Sequence, residues 1–243
     1  ANSVQAFPAE NRTAFDLVML TVAPRGTAFV AQEGTPGETN GTITPAAFGF
    51  PITKIVIGSK LNIVSGTASG SALYFNREDL DTGLTHGLTL ANFTIDYVGH
   101  KVLADTTPAG GATIKQMPIY NFTVQTPLAL KYKFPLSITL HEVLGNLLLT
   151  DQTKAVFKEA LAIPEFGEFA LDYDYGTLTQ DVTTKFRSKA VSKRYPCLAK
   201  RCLPSSVLDS EGSLPGVLRL YIQVIAWTNI SGWSSIKRSK LGI

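Results

Sequence analysis

The chain has 243 residues, of which 44% are hydrophobic, so it can bury a substantial core. Only 17% are charged, against about a quarter in typical soluble domains, and the net charge is +3. This balance gives no reason to expect nucleic-acid binding, and no run of 18 uncharged apolar residues predicts a transmembrane segment.

The first part of the chain predicts a polar lead-in followed by a strand. Residues 1–13 are polar and are expected to be loose. Phe15, Leu17 and Met19 alternate with other residues, which predicts a strand over 14–22. Residues 32–44 are rich in Gly, Thr and Glu and have no apolar period, so they predict a mobile loop.

The clearest alternation lies in the middle of the chain. Phe93, Ile95 and Tyr97 alternate with polar neighbours and predict a strand with one buried face. The preceding apolar positions have the opposite phase, so we expect a bulge near Ala91-Asn92. A tight turn at Gly99-His100 then predicts a hairpin.

One helix is predicted among the later strands. Thr150 or Asp151 can cap it, and the apolar residues that follow recur at helical spacing until Pro164. Further alternation over 128–134 and 169–175 predicts strands on either side. Turns recur about every ten residues, which favours a mainly β fold, an antiparallel sandwich or a barrel-like sheet, with one short helix near 151–161.

Charge divides the chain into two parts. Residues 1–183 have 11 basic and 17 acidic residues, a net charge of −6, whereas residues 184–243 have 11 and 2, a net charge of +9. We therefore predict a β-rich domain over 1–183 and a separable basic C-terminal segment over 184–243. That segment is either a native arm or a stretch whose sequence is not native to the protein.

Two phrases resemble the HtaA-type domains and other exported bacterial proteins that have a sorting signal. Gly87-Leu88-Thr89-Leu90-Ala91-Asn92-Phe93-Thr94-Ile95-Asp96 with Lys101-Val102-Leu103-Ala104-Asp105 resembles their strand pair, and Leu148-Leu149-Thr150-Asp151 with Ala155-Val156-Phe157 and Phe169-Ala170-Leu171 resembles their helix region. The resemblance covers about residues 87–178. It implies an extracellular β-sandwich-like fold and, for HtaA-type domains, haem binding through a Tyr and a supporting His. The aromatic motif that carries this Tyr has no match here, so no haem ligand is assigned.

Sparse charge, with abundant Thr and Gly, is typical of secreted or cell-surface β proteins. Five Asn-x-Ser/Thr sequons are candidates for glycosylation, namely Asn11, Asn40, Asn92, Asn121 and Asn229. The alternative is that a Thr-rich β protein generates sequons by chance. In an exported chain, Cys197 and Cys202 would form a small disulfide loop.

Few residues suggest a metal or catalytic site. Asn76, Asp79 and Asp81 cluster oxygens in a predicted turn and are a weak calcium candidate, against the simpler interpretation of a solvated turn. The three histidines, His86, His100 and His141, lack metal-ligand spacing. Asp172 and Asp174 have the spacing of paired carboxylates on one strand face, so a hydrolase is not excluded, but the simpler interpretation is a polar outer face.

The sequence therefore favours a non-enzymatic secreted domain without a cofactor. It would act through protein–protein contacts in a surface layer, matrix or filament, by self-association or with another surface protein. The alternative, from a different class, is an extracellular ligand-binding module for haem or a similar apolar ligand, suggested by the resemblance and the tyrosine-rich strands.

Overall fold

The computed structural model describes residues 2–58, 63–80, 82–133, 137–187 and 221–224. The described elements are twelve strands, two α-helices and a 3₁₀ helix. In chain order they are β1 Asn2–Ala6, α1 Ala9–Leu17, β2 Leu20–Gly26, β3 Phe29–Gln32, β4 Ala47–Pro51, β5 Lys54–Ile57, β6 Ile63–Glu78, β7 Thr85–Asp96, β8 Lys101–Pro108, β9 Ile114–Lys133, β10 Ser137–Leu149, α2 Asp151–Ala160, the 3₁₀ helix Glu165–Asp172, β11 Thr177–Arg187 and β12 Tyr221–Val224.

All the strands belong to one antiparallel sheet in the order β2-β6-β7-β8-β9-β10-β11-β1-β4-β3. β5 adds to β6 and β12 adds to β11. The sheet curls into a nearly closed barrel, so the predicted mainly β, antiparallel and barrel-like fold is confirmed. Closure turns one face of every strand inward, which explains why alternation is the strongest signal in the sequence.

The bulge predicted near Ala91-Asn92 is confirmed, because the register of β7 shifts there against both neighbours. Asn92 has a φ of 54°, in the left-handed region that a short polar side chain tolerates. Its Oδ1 accepts the backbone N–H of Gly70 at 3.1 Å, and its Nδ2 donates to Asp105 Oδ2 at 2.9 Å. The side chain therefore holds three strands at the point where the sheet bends.

The predicted helix is confirmed as α2. Thr150 caps it, since its Oγ1 accepts the backbone N–H of Thr153 at 3.3 Å. Phe157 is 1% exposed and packs against Phe75 of β6, with ring centroids 5.1 Å apart. The hairpin turn at Gly99-His100 is confirmed as well, between β7 and β8.

The strand predicted over 14–22 is wrong, because helix α1 occupies Ala9–Leu17 and β2 begins only at Leu20. The alternation of Phe15 and Leu17 is coincidental, since Phe15 is 1% exposed and Leu17 is 37% exposed. Phe15 and Val18 point into the core at helical spacing. The helical period therefore decides this segment.

The expected loose lead-in is also wrong. Residues 2–6 form β1, which pairs with β11 on one side and β4 on the other. Its buried side chains are Ser3 and Gln5, and its partly exposed ones include Val4. Polar residues point inward here, so the usual sequence signal of a strand is inverted.

The strand predicted over 169–175 is replaced by the 3₁₀ helix Glu165–Asp172. Phe169 and Tyr173 are 42% and 37% exposed, whereas Leu171 and Tyr175 are buried. Tyr175 packs between Phe7, Phe15 and Tyr120, so tertiary contacts fix the chain in a conformation that brings this ring into the core.

The predicted division at 183/184 falls inside β11, whose end pairs with β12 from the basic segment. Residues 188–220 and 225–243 lie outside the described residues, so Cys197, Cys202 and Asn229 do too. The separability of this segment stays a prediction. Among the described residues, no helix has the length and apolar character needed to cross a membrane.

Candidate functional site

A cavity lies inside the barrel, between strands from opposite sides of the sheet. Its wall comes from eight strands. The wall residues are Ser3, Gln5, Phe50, Ile52, Gly66, Thr67, Ala68, Phe93, Ile95, Val102, Tyr120, Leu147, Leu178 and Gln180. Most of this surface is apolar, and three of the polar residues, Ser3, Gln5 and Gln180, lie on the paired strands β1 and β11, with Tyr120 on β9 and Thr67 on β6. That division is typical of a site for a small molecule with one polar end.

The cavity is narrow in the described structure. It encloses about 510 Å³ of atom-free space, part of it open to solvent, but the centre of a water molecule can occupy only about 30 Å³ of it. That is room for roughly two or three waters. Phe50 and Phe93 lie at its wall with ring centroids 4.9 Å apart, and any ligand larger than a few waters requires wall side chains such as these to move.

A belt of polar side chains crosses the barrel interior between two apolar clusters. Glu142 of β10 pairs in register with Gln180 of β11, which pairs in register with Ser3 of β1. All three are at most 5% exposed. On one side of the belt lies the main core and on the other a smaller cluster that includes Leu140 and Val182.

Tyr97, at the end of β7, connects the belt to the opposite wall. Its hydroxyl donates to Glu142 Oε2 at 2.5 Å and accepts from Gln180 Nε2 at 2.7 Å. Gln180 Nε2 also lies 3.3 Å from Glu142 Oε2. The carboxylate is thus held by two neutral donors, and no cation is among the partners that the described residues supply.

Ser3 and Gln5 supply the polar groups nearest the apolar part of the cavity. Gln5 Nε2 donates to the hydroxyl of Tyr120 at 3.3 Å. Ser3 Oγ is buried and has no hydrogen-bond partner among the described residues. A buried hydroxyl without a partner costs about 1–3 kcal/mol. In a cavity wall, such a group can be satisfied by a ligand.

Burial raises the pKa of the Glu142 carboxyl, and the hydrogen bond from Tyr97 opposes that shift. Burial, together with the nearby Glu142, raises the pKa of the Tyr97 phenol far above its ordinary value. The Glu142 carboxyl and the Tyr97 phenol therefore hold their protons more tightly in the belt than the same groups do in water. A buried carboxyl without a cation is costly for the fold, which suggests that function retains it.

We expect Glu142→Gln to stabilise the chain increasingly as the pH rises. In the wild-type chain the folded state keeps the Glu142 proton to a higher pH than the unfolded state does. Stability must therefore fall as the pH rises through this interval, and a Gln cannot show that loss. Urea unfolding at about pH 4, 6 and 8 measures the difference.

The matched control for that experiment is Glu168→Gln, which removes a carboxylate that pairs with Lys158 at the surface. The control should follow the wild-type pH dependence. If Glu142→Gln has the same pH slope as the wild-type chain, Glu142 does not hold its proton in the way described.

The residues predicted from sequence do not converge on this belt. Asn76 Oδ1 accepts the hydroxyl of Tyr74 at 3.3 Å, and the backbone of Asp79 closes a turn with Leu84 and Gly83. Asp81 lies outside the described residues. Within the described part of the chain, no three His, Cys, Asp or Glu side chains could hold a metal ion together.

The two carboxylates considered for acid–base work have separate structural contacts. Asp172 Oδ1 accepts from Lys154 Nζ at 2.5 Å at the surface. Asp174 Oδ1 accepts the backbone N–H groups of Leu147 and Gly176, both at 2.8 Å. Asp174 therefore serves to join β10 to the start of β11.

The histidines lie at separate places. His141 Nδ1 is 2.6 Å from Asp181 Oδ1, and both side chains are mostly exposed. The ring of His100 packs near Phe122. His86 has a buried Nε2 without a partner among the described residues.

The described sequon residues differ in exposure. Asn40 and Asn121 are exposed, whereas Asn11 and Asn92 are 1% and 4% exposed. A glycan on either buried residue has no room in the folded chain. Asn92 also uses its side chain to hold the bulge in β7.

Sequence reasoning missed Ser3, Gln5, Glu142 and Gln180. A usable signal exists for two of them, because Glu142 and Gln180 occupy the inward phase of strands whose flanking inward positions are Leu or Val. A polar residue at a strand position whose neighbours on the same face are apolar has two explanations. Either the face assigned to the core is wrong, or the residue belongs to a buried polar site. Only pairing with the neighbouring strand distinguishes the two.

No protein-family profile and no curated protein matches the chain. Two solved structures are similar to it. One is the C-terminal domain of HtaA from Corynebacterium glutamicum, at 12% identity and a TM-score of 0.42, covering 75% of this chain and 95% of that one. The other is the heme-binding protein HtaB from the same organism, at 13% identity and a TM-score of 0.40, covering 74% and 91%. The resemblance to HtaA-type domains seen in the sequence is thereby confirmed as a distant one, and it assigns no residue a role.

Proposed function

We propose that this chain is an extracellular ligand-binding module and that the barrel cavity is its site for a small apolar molecule. The observation that carries the proposal is the cavity itself, with an apolar wall from eight strands and a cluster of polar groups at one side. Pockets with this composition are the usual sites of small-molecule binding. The sequence placed this function second.

Protein–protein contact, the function that the sequence placed first, depends on a long open strand edge. The nearly closed sheet offers little such edge among the described residues. Self-association therefore stays a prediction without a structural feature to support it.

Haem is much larger than the cavity, in which water centres can occupy only about 30 Å³, so it would require a far wider opening of the wall than a thin aliphatic molecule does. The one tyrosine among the described wall residues, Tyr120, is also engaged, since its hydroxyl accepts from Gln5 Nε2. We therefore derive no role for haem here, and a thin aliphatic molecule is the better candidate.

Gly66 offers a direct test of the cavity. It pairs in register with Ile95, and a Cβ placed on it would meet no atom within 4 Å. Gly66 is a wall residue, so a larger side chain there would extend into the free space. Its φ lies outside the left-handed region, so a substitution is not strained by the backbone.

We expect Gly66→Leu to fill the cavity, to raise or preserve the melting temperature, and to abolish binding of 1-hexanol. Filling an apolar void adds contacts worth about 1 kcal/mol. The measurement is a titration of the ¹⁵N-labelled chain with 1-hexanol. In the wild-type chain the amide signals of wall residues should shift, and in the variant they should not.

The control is Thr179→Leu, which places the same Leu side chain on the partly exposed face of β11 between Leu178 and Gln180. It should bind 1-hexanol as the wild-type chain does. The proposal fails if 1-hexanol shifts no wall amide of the wild-type chain, or if it shifts the same amides in folded Gly66→Leu. Haemin added to the wild-type chain, followed by its Soret absorption, reports separately on haem.

A further inference from the structure

The polar side of the cavity has a definite chemical character. Its groups are the hydroxyl of Ser3 and the amides of Gln5 and Gln180, with the hydroxyl of Tyr120 beside them. All of these are neutral. None of the described wall residues is a Lys, Arg or His, so the wall offers no cation to an anionic ligand.

A buried acid lies directly behind this wall. Glu142 Oε2 lies 3.3 Å from Gln180 Nε2, and Glu142 sits directly opposite Gln180 on the neighbouring strand. When ionised it repels a second carboxylate, and when protonated it leaves the belt uncharged. A ligand carboxylate therefore loses its hydration in either state without gaining a positive partner, which is strongly unfavourable.

Ser3 indicates what the cavity can accept instead. Its side chain is 5% exposed, its Oγ lacks a partner among the described residues, and it is a wall residue. A hydroxyl both donates and accepts one hydrogen bond readily. A ligand hydroxyl at this point would satisfy Ser3 Oγ and bring no net charge into the barrel.

We infer that the cavity selects uncharged aliphatic alcohols and rejects the carboxylates of the same chain length. This inference rests on the proposed function, since it names the ligand class of the same cavity. The discrimination should be at least tenfold in dissociation constant at neutral pH, because burying an unpaired carboxylate costs more than burying a hydrogen-bonded hydroxyl.

The test is a pair of amide-shift titrations of the ¹⁵N-labelled full chain, one with 1-hexanol and one with hexanoate. We expect 1-hexanol to shift the wall amides and hexanoate at neutral pH to shift them at least tenfold more weakly. At about pH 4, where a good part of hexanoic acid is uncharged, its binding should approach that of the alcohol.

The variant for this test is Ser3→Ala. Since Ser3 Oγ makes no hydrogen bond with described residues, its loss should not weaken the fold. It should weaken binding of 1-hexanol about fivefold, the equivalent of one hydrogen bond. Thr179→Ala, on the opposite face of β11, is the control and should leave binding unchanged.

The outcomes separate the two proposals. If neither compound shifts a wall amide, the proposed function fails. If both shift the wall amides with similar dissociation constants at neutral pH, or hexanoate binds more tightly, the cavity binds ligands but the inferred selectivity is wrong. Unchanged alcohol binding in Ser3→Ala would also overturn the assignment of Ser3 as the contact.

Discussion

Replacing Arg77 by Met should destabilise the chain by about 4 kcal/mol. Arg77 lies in β6 and is 8% exposed. Its Nε donates to the carbonyl of Val18 at 3.0 Å, and its Nη1 donates to the carbonyls of Leu161 and Ala162 at 3.4 and 2.8 Å. These carbonyls end α1 and α2, where helices leave acceptors unsatisfied.

The size of this effect follows from the position of the guanidinium. It donates hydrogen bonds to free carbonyls at the C-terminal ends of two helices at once. A cation is also favourable at the negative end of the helix dipole. Met fills a similar volume but leaves buried carbonyls without donors. A loss of about 4 kcal/mol should lower the melting temperature by roughly 10 °C for a chain of this size.

Arg25→Met is the matched control, because Arg25 is only partly buried and its guanidinium lies over the ring of Tyr74 at 3.6 Å from the centroid. Its loss should cost less than about 1 kcal/mol. Arg77→Lys should fall between the two, since one ammonium cannot reach both helix ends. Equal effects of Arg77→Met and Arg25→Met in urea unfolding would contradict this account.

Replacing Asp16 by Asn should be the next most damaging change, with an expected cost of about 3 kcal/mol. Asp16 is 1% exposed, at the end of α1. Its Oδ2 accepts the backbone N–H groups of Thr39 and Asn40, and its Oδ1 accepts the backbone N–H and the hydroxyl of Thr42. An Asn presents an NH₂ group to one of these pairs of donors, so about half of the contacts become repulsive.

The same carboxylate predicts a pH dependence. Burial by itself would raise the pKa of Asp16, but the hydrogen bonds from Asn40, Thr42 and Thr39 outweigh it and lower the pKa from 3.8 to about 2. Its contribution is therefore complete above pH 3.8 and is lost as the pH falls through about 2. The loss should be about 2 kcal/mol.

The stability of the Asp16→Asn variant should lack this acid-dependent loss. Urea unfolding between about pH 5 and pH 2 measures the free energy of unfolding of both chains. Asp172→Asn, at an exposed ion pair with Lys154, is the control and should change stability by less than about 1 kcal/mol. Gly37→Ala tests the same contact from the loop side, since a Cβ on Gly37 would lie 2.0 Å from Asp16 Cγ. If Asp16→Asn keeps the acid-dependent loss, another carboxyl is responsible for it.

Asp16 also makes contacts with the loop over 32–44 that the composition of the loop does not predict. Its composition predicts mobility because it contains no apolar period. In the structure the Asp16 carboxylate accepts hydrogen bonds from three residues of this loop, and Asn40 Nδ2 adds one to the carbonyl of Asp16 at 2.6 Å. Composition reports local preference, whereas the anchor comes from a residue more than twenty positions earlier.

The sequence by itself determined those features that local chemistry controls. The cap of Thr150 starts α2 because a short side chain can satisfy its own helix end. The bulge at Asn92 and the turn at Gly99-His100 follow from alternation that changes phase and from residues that tolerate a left-handed backbone. The mainly β, antiparallel class follows from alternation and from turns about every ten residues, which left a sandwich and a barrel-like sheet as alternatives.

Only the tertiary structure decided the path of residues 2–17 and 165–175 and the position of the candidate site. β1 pairs with β11 about 175 residues away, and its inward residues are polar, so no local pattern identifies it as a strand. Glu142, Gln180 and Ser3 meet only because the register of three strands aligns them. Cross-strand register depends on contacts between distant segments, which local sequence patterns do not specify.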